Sequence, residues 1–323
     1  MYETFYQLTD KPFRLSPDFR FFYESQVHKR AMAYLRYGLE QRDGFIVITG
    51  GIGTGKTTLV EMLFDLISRE NVVAAKVVTT QLEADDLLRM VGASFGLPHD
   101  QLTKTALLKN LETFFRNKAL RRERVLLVID EAQNIPPRSL EELRMLSNIN
   151  INGVPVMQTF LLGQDEFLDT LQSPHMEQLR QRIIATYHLQ ALQPEDVRRY
   201  IEHRLGRAGW KGDPSFTGEA YDEIFLQTDG VPRRINTFCD RLLLYGYLEE
   251  LHEFNRDAVQ MVSAELNGEM DRSRTAAMAR RGAGGKEQEL EGRLAALEER
   301  LNEVEDALIL ERARLRAMYT AKK

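Results

Sequence analysis

The chain has 323 residues, a formal net charge of −5, 43% hydrophobic and 28% charged residues, and one cysteine. That length and balance fit one large or two moderate globular domains, and the acidic excess argues against a protein whose main task is to coat nucleic acid. A lone cysteine excludes an internal disulfide and points to a reducing compartment, no apolar run approaches the ~20 residues of a membrane-spanning helix, and the start Met1-Tyr2-Glu3-Thr4 lacks the basic start and apolar core of a signal peptide.

In chain order, the apolar runs Phe45–Thr49, Val73–Val78, Val125–Ile129, Gln158–Leu162 and Ala185–Leu189 read as short strands. Helical stretches lie between them, with apolar residues three and four apart: Leu59, Leu63, Leu66 and Ile67, then Leu107, Leu108, Leu111, Phe114 and Phe115. This alternation predicts an α/β domain over 41–190, a five-stranded parallel sheet with helices on both faces. Residues 191–268 show no convincing strand and break at Gly206, Gly209–Pro214 and Gly230–Pro232, so an all-helical domain is expected there. Cys239, beside Phe238 and Leu242-Leu243-Leu244, reads as a buried small hydrophobe. Residues 269–286 are polar and aperiodic, as in a flexible linker. Over 287–318, Leu290, Leu294, Leu297, Leu301, Val304 and Leu308 alternate four and three apart among Glu and Arg, the seam of a short coiled coil joining copies of this chain or a partner. A solitary amphipathic helix is the alternative.

Two motifs carry chemistry. Gly50-Gly51-Ile52-Gly53-Thr54-Gly55-Lys56-Thr57 fits G-x-x-x-x-G-K-[ST], and it follows an apolar strand and opens a helix, as a P-loop requires. Glycines let several backbone N–H groups turn around an anion, Lys56 brings a point charge to the β- and γ-phosphates, and the Thr57 hydroxyl is a magnesium ligand. An ordinary glycine-rich turn with a lysine is the bland reading. Val125-Leu126-Leu127-Val128-Ile129-Asp130-Glu131 is an apolar strand ending in two acids, a Walker B pattern. Asp130 is placed to hold magnesium and Glu131 to polarise the attacking water; two solvated acids at a strand end are the bland reading. ATP and Mg2+ are therefore the expected ligands.

These pieces, with Asp130-Glu131-Ala132-Gln133 and a helical lid to follow, resemble an AAA+ ATPase. More narrowly the chain resembles the general secretion pathway protein A family, whose relatives include ATPases of exosortase (PEP-CTERM) loci. The likeness covers about residues 1–268. It is carried by Tyr2, Phe5-Tyr6, Leu8, Lys11-Pro12-Phe13, Ser16-Pro17-Asp18, Phe21-Phe22-Tyr23, His28, Gly38-Leu39-Glu40 and Gly53–Thr58 including Thr58. It continues through Glu141-Glu142-Leu143-Arg144, Leu146-Ser147-Asn148, Gly163-Gln164, Leu179-Arg180-Gln181-Arg182-Ile183 and Gly230-Val231-Pro232-Arg233-Arg234-Ile235-Asn236.

The resemblance implies roles. Residues 1–40 form a segment flanking the adenine, with Phe13 and Tyr23 either in that wrap or plain core. Arg233 is the lid arginine that reaches the γ-phosphate, Gln164 the polar sensor, and Asn148 a weaker candidate for it. Arg182 is the arginine finger given to a neighbouring subunit, with Arg180 as rival and a surface ion pair as the bland reading for either. A homo-oligomer, a ring or spiral, follows from a finger in trans. Secretion-pathway members commonly continue into a membrane span and a peptidoglycan-binding domain, which this sequence lacks. The expected role is a cytoplasmic ATPase that energises or regulates an envelope export system of the exosortase or exopolysaccharide type, reaching the inner membrane through partner proteins that contact its lid or coiled coil. The competing reading is a DNA-bound AAA+ regulator of the transposition-helper type, resting on Arg121-Arg122-Glu123-Arg124 and on Arg272, Arg274, Arg280 and Arg281. Against it stand the acidic balance and the lack of a recognisable nucleic-acid module. A small-molecule kinase is a third reading, opposed by the lid arginine and the inter-subunit finger.

Overall fold

A computed structural model describes residues 1–268 except 17, 42, 69, 80–83 and 152. The expected linker and coiled coil lie outside the described residues. Five strands form one sheet: β1 (Phe45–Thr49), β2 (Val72–Val78), β3 (Arg124–Asp130), β4 (Met157–Gly163) and β5 (Ile183–His188). Their order is β2-β3-β4-β1-β5, and every pairing is parallel. The last strand starts and ends earlier than the apolar run suggests, because Ile183 pairs with Phe45 and His188 with Thr49.

Every residue of β1 and β4 is buried, as expected of inner strands covered on both faces. Successive side chains point to opposite faces. Phe45, Val47, Leu127, Ile129 and Leu161 meet α3 (Ala84–Ser94), α4 (Lys104–Leu120), α5 (Pro137–Ser147) and α6 (Glu166–Gln172), following α1 (Gln26–Gln41) and α2 (Lys56–Ile67) in the chain. Ile46, Ile48, Leu126, Val128, Phe160 and Leu162 meet α1 through Ala31, Leu35 and Leu39, and α2 through Leu59, Val60, Leu63 and Ile67. The spacing of those α2 residues is the amphipathic period that the sequence shows. Thr103 caps α4, its side chain accepting from Ala106 N–H at 3.3 Å.

Beyond the sheet come α7 (Pro194–Arg207), α8 (Gly218–Thr228) and α9 (Pro232–Leu248). Proline at the first position of α7 and α9 loses no helical hydrogen bond there. This region is helical apart from two two-residue strands, Ser215–Phe216 and Glu253–Phe254, which pair in parallel. They correct the expectation of no strand: the Ser215 and Thr217 N–H groups lie outside any helix and bond to His252 O and Phe254 O at 2.9 and 3.0 Å.

The N-terminal residues divide between the two regions. Residues 1–24 clasp the lid: Tyr2 Oη donates to Asp240 Oδ1 at 2.5 Å, Tyr6 Oη to Leu251 O at 2.8 Å, and Thr9 N–H to Ala208 O at 2.8 Å. Arg204 Nε, from α7, donates to Pro12 O at 2.7 Å. The Phe19–Phe21 turn touches both α7 and α2, and α1 returns to the sheet. Phe13 is 1% exposed and sits in the core. Cys239 is buried in α9, and burial pushes its thiol up. Residues 1–262 make one compact unit; of the second, 263 onwards, the described residues run only to 268 and are helical.

Candidate functional site

The carboxyl ends of β1, β3 and β4 deliver Gly50, Asp130 and Gly163 to one edge of the sheet, where open α/β sheets bind ligands. A cavity of about 410 Å³ lies there between that edge, the N-terminal segment and the lid. Ile52, Gly53, Gly55, Lys56, Thr57, Thr58, Glu131, Gln164 and Arg233 all line it.

The loop from Gly50 to Gly55 leads directly into α2. Gly53 (φ +84°) and Gly55 (φ +102°) are in the region that favours glycine. A Cβ on Gly53 would lie 2.6 Å from Arg233 Cβ, and one on Gly55 would lie 2.8 Å from His28 Nε2. Close approach from both sides therefore also demands glycine. Thr54 is buried and its hydroxyl donates to Gly51 O at 2.9 Å, closing the loop, whereas Ile52 is 65% exposed. Lys56 Nζ donates to Gly50 O and Gly51 O at 2.6 and 3.0 Å. Burial lowers the Lys56 pKa from its ordinary value, while Glu131, Asp130, Asp165 and Glu166 oppose that shift. An ammonium facing uncovered backbone dipoles beside a helix N-terminus is suited to an anion.

Asp130 is nearly fully buried. Its Oδ2 accepts from Thr57 Oγ1 at 3.2 Å and pairs with Lys76 Nζ at 2.9 Å; its Oδ1 accepts from the Glu131 N–H at 3.1 Å. Hydroxyl and carboxylate oxygens side by side are the donors a hard divalent cation takes, so Thr57 and Asp130 fit Mg2+. Glu131 sits at φ 57°, in the left-handed region, and its Oε2 accepts from Gln133 Nε2 at 2.7 Å and Gln164 Nε2 at 3.3 Å.

Arg233 enters from the first turn of α9. Its N–H donates to Gly53 O at 3.2 Å, which docks the lid on the loop. Tyr23 also lines the cavity, with its hydroxyl donating to Asp196 Oδ1 at 3.1 Å. Arg182 does not reach this cavity: it precedes β5, at the opposite end of the sheet, where Nη1 donates to Ser147 Oγ at 2.8 Å. Arg180 Nη1 donates to Leu171 O and Ser173 O at 2.6 and 2.8 Å, tying down the end of α6. Asn148 lies at the end of α5, outside the cavity lining. Arg121 and Arg122 are exposed beyond the far end of the sheet, and Arg124 pairs with Glu70.

Lys76, Gln133, Tyr200 and Arg204 belong to the site without any motif that announces them. The last two form a buried chain in the lid wall of the cavity, Arg204 Nη1 donating to Tyr200 Oη at 3.2 Å and Tyr200 Oη to Asn236 Oδ1 at 2.8 Å. His28, whose role the sequence does not show, braces the loop: Nε2 contacts Thr54 O at 3.2 Å and Nδ1 contacts Ser25 Oγ at 2.7 Å. Because a carbonyl only accepts, Nε2 carries a proton, and burial lowers the ring's pKa, against the opposing pull of the Thr54 carbonyl and Asp196. A polar residue in an apolar run was the available signal for Lys76.

Such a sheet, with a phosphate-type loop after the first strand, an acid pair after the third and a helical lid over both, defines the AAA+ class of P-loop proteins. A family model described as an AAA domain matches residues 39–171. The chain is 36% identical over 275 residues to general secretion pathway protein A of Aeromonas hydrophila, an alignment covering 84% of this chain and 49% of that protein. It therefore spans about half the length of that relative. The chain thus carries a segment similar to an AAA domain and is similar, over most of its own length, to about half of that secretion-pathway protein. Among solved structures, Cdc6p of Pyrobaculum aerophilum is similar at a TM-score of 0.62 and 17% identity, covering 80% of this chain and 71% of that one. The ORC2 protein of Aeropyrum pernix is similar at 0.56 and 19%, covering 74% and 67%. At these identities the likeness is one of fold.

Proposed function

We propose that the chain hydrolyses ATP between its sheet domain (41–190) and its helical lid (191–268). The observation that carries this is the meeting of Lys56, Thr57, Glu131, Gln164 and Arg233 around one cavity, with Asp130 bonded to Thr57 beside it. Residues Gly50 to Thr58 hold the phosphates, with Lys56 turning from the Gly50 and Gly51 carbonyls to the β- and γ-phosphates. Thr57 and Asp130 hold Mg2+, which neutralises charge developing on the phosphate oxygens when bound. Glu131 accepts a proton from the attacking water, Gln164 donates to the γ-phosphate, and Arg233 couples the lid to it. Arg182, remote from its own cavity, serves the cavity of a neighbouring copy, so the competent unit is a homo-oligomer. Hydrolysis releases the lid, and the relative rotation of lid and sheet is the output.

The likeness to a protein named for secretion supports work for an envelope export system, and the finer placement is the exosortase or exopolysaccharide type. On this reading the protein is cytoplasmic and reaches the inner membrane through partners bound to the lid or to the heptad segment (287–318) beyond the linker (269–286). Among the described residues no helix is long and apolar enough to cross a membrane.

The test is mass photometry of Glu131→Gln with ATP, with and without duplex DNA, beside a turnover assay. ATP-dependent assemblies indifferent to DNA, with turnover abolished, are the expected result. Undiminished turnover removes Glu131 from the water-activating role. Assemblies that form only on DNA put the DNA-bound regulator first.

A further inference from the structure

Gln133 lies on the short turn that follows β3, and both ends of its side chain are engaged. Its Nε2 donates to Glu131 Oε2 at 2.7 Å, and its Oε1 accepts from the Gln164 backbone N–H at 2.9 Å. The amide has one way round, because a carboxylate only accepts and a backbone N–H only donates. Gln164 adds its own side-chain amide to the same Glu131 oxygen, at the longer distance of 3.3 Å. Glu131 needs such restraint: its backbone is in the left-handed region, uncommon for a residue with a Cβ and kept only where the surroundings over-determine it. The Thr79 hydroxyl, within 2.8 Å of Glu131 O, and Asn134 Nδ2, donating to Thr79 O at 3.1 Å, fix that backbone from the end of β2.

The two glutamines differ in what they can give up. The Gln164 side chain has a weaker bond to Glu131 and lines the cavity, so a phosphoryl oxygen, a charged and stronger acceptor, competes for it. Gln133 is anchored through a backbone N–H that cannot turn away. We infer that Gln133 is the positioning residue of Glu131: it keeps one carboxylate oxygen fixed when the Gln164 side chain leaves for the γ-phosphate, so that the other oxygen stays aimed at the water. This rests on the reading of Glu131 as the base. It also makes the third residue after Asp130 a link between the ends of β3 and β4, which no base or metal role requires.

Two substitutions separate the ends of the amide. Gln133→Met removes both bonds at similar length; Gln133→Glu keeps the acceptor for Gln164 N–H, loses the donor, and sets a like charge against Glu131. Both are measured for ATP affinity and steady-state turnover, in the wild-type and Glu131→Gln chains. Displacement of a reacting group by ~1 Å can cost ~100-fold, so kcat is expected to fall by about 10- to 100-fold in both variants. ATP affinity stays within about twofold, a split that reports a loss confined to the transition state and shows the site still folded. In the Glu131→Gln chain neither substitution lowers turnover further, as holds for residues acting through one another. Wild-type turnover in Gln133→Glu overturns the inference in favour of a strap for the Gln164 backbone. Loss of affinity in step with kcat, or losses that add in the double variants, overturns it as well. If Glu131→Gln itself turns over normally, the base reading falls and takes this inference with it. If Glu131→Gln is inactive while Gln133→Met is fully active, only the present inference falls.

Discussion

Replacing Lys76 by methionine separates the charge of β2 from the carboxylate it serves. Lys76 Nζ lies 2.9 Å from Asp130 Oδ2, with the lysine side chain 22% and the aspartate 4% exposed. Met keeps the length and apolar stem of Lys but leaves Asp130, among the described residues, with the Thr57 hydroxyl and the Glu131 N–H as donors to its carboxylate. Removing one partner of a fully buried pair costs about 3–5 kcal/mol. Partial exposure of Lys76 and the two remaining donors bring this case down to about 2 kcal/mol. At roughly 2–4 °C per kcal/mol for a unit of this size, Tm falls by about 4–8 °C in EDTA. A divalent cation at Thr57 and Asp130 supplies the missing charge, so MgATP raises Tm more in Lys76→Met than in wild type, and the gap narrows. The assay is differential scanning fluorimetry of both proteins in EDTA, in Mg2+ and in MgATP. A gap of the same size in all three conditions, or no gap in EDTA, refutes the pairing of Lys76 and cation at Asp130.

Arg182→Ala loses its bond to Ser147 and is expected to bind ATP normally while hydrolysing it ~10³-fold more slowly; specific activity equal to wild type at every protein concentration removes it as a finger. In Gly53→Ala the new Cβ meets Arg233 Cβ at 2.6 Å and the backbone holds φ +84°, a strain of roughly 1–2 kcal/mol. The lid helix is expected to lift off the loop, read as faster hydrogen exchange at the Arg233 amide and weaker ATP binding, and unchanged exchange there counts against the docking contact. Burial lowers the His28 pKa below the ordinary 6.5, so the unfolded chain binds the extra proton first as pH falls. Its contribution to stability is full above that pH and declines below it. Urea unfolding at pH 7.5 and 5.5 should show a smaller loss for His28→Gln than for wild type, and equal losses would refute the lowered pKa.

Much of the fold was legible because it is written locally. Five apolar runs became five strands, and the loop from Gly50 to Thr57 begins where β1 ends. What could not be read depends on register and on contacts between distant segments. Lys76 interrupts an apolar run, and only the pairing of Lys76 with Val128 and Val78 with Asp130 puts its ammonium beside that carboxylate. Gln133 is invisible as a ligand of Glu131 until the left-handed Glu131 backbone turns the two side chains together. The first 40 residues read as one segment, yet Tyr2, Tyr6, Thr9 and Pro12 find partners more than 190 residues away, while α1 finds the sheet. The placement of Arg182 at the far end of the sheet follows from β5 running parallel to β1, which local sequence does not state.

The clasp of the N-terminal residues on the lid has a mechanical consequence. The chain passes between lid and sheet twice: between Tyr23, bonded to Asp196, and the start of α1 at Gln26, and again between Leu189, bonded to Thr49, and Leu192, bonded to Gly230. Both crossings lie beside the cavity, and the Arg233 N–H bond to Gly53 O joins lid and loop at a third point. Because Arg14, Leu15 and Ser16 line the cavity along with Arg233, the N-terminal clasp and the lid helix furnish adjoining walls of one site, and a substitution that loosens the clasp bears on the nucleotide as well as on the lid.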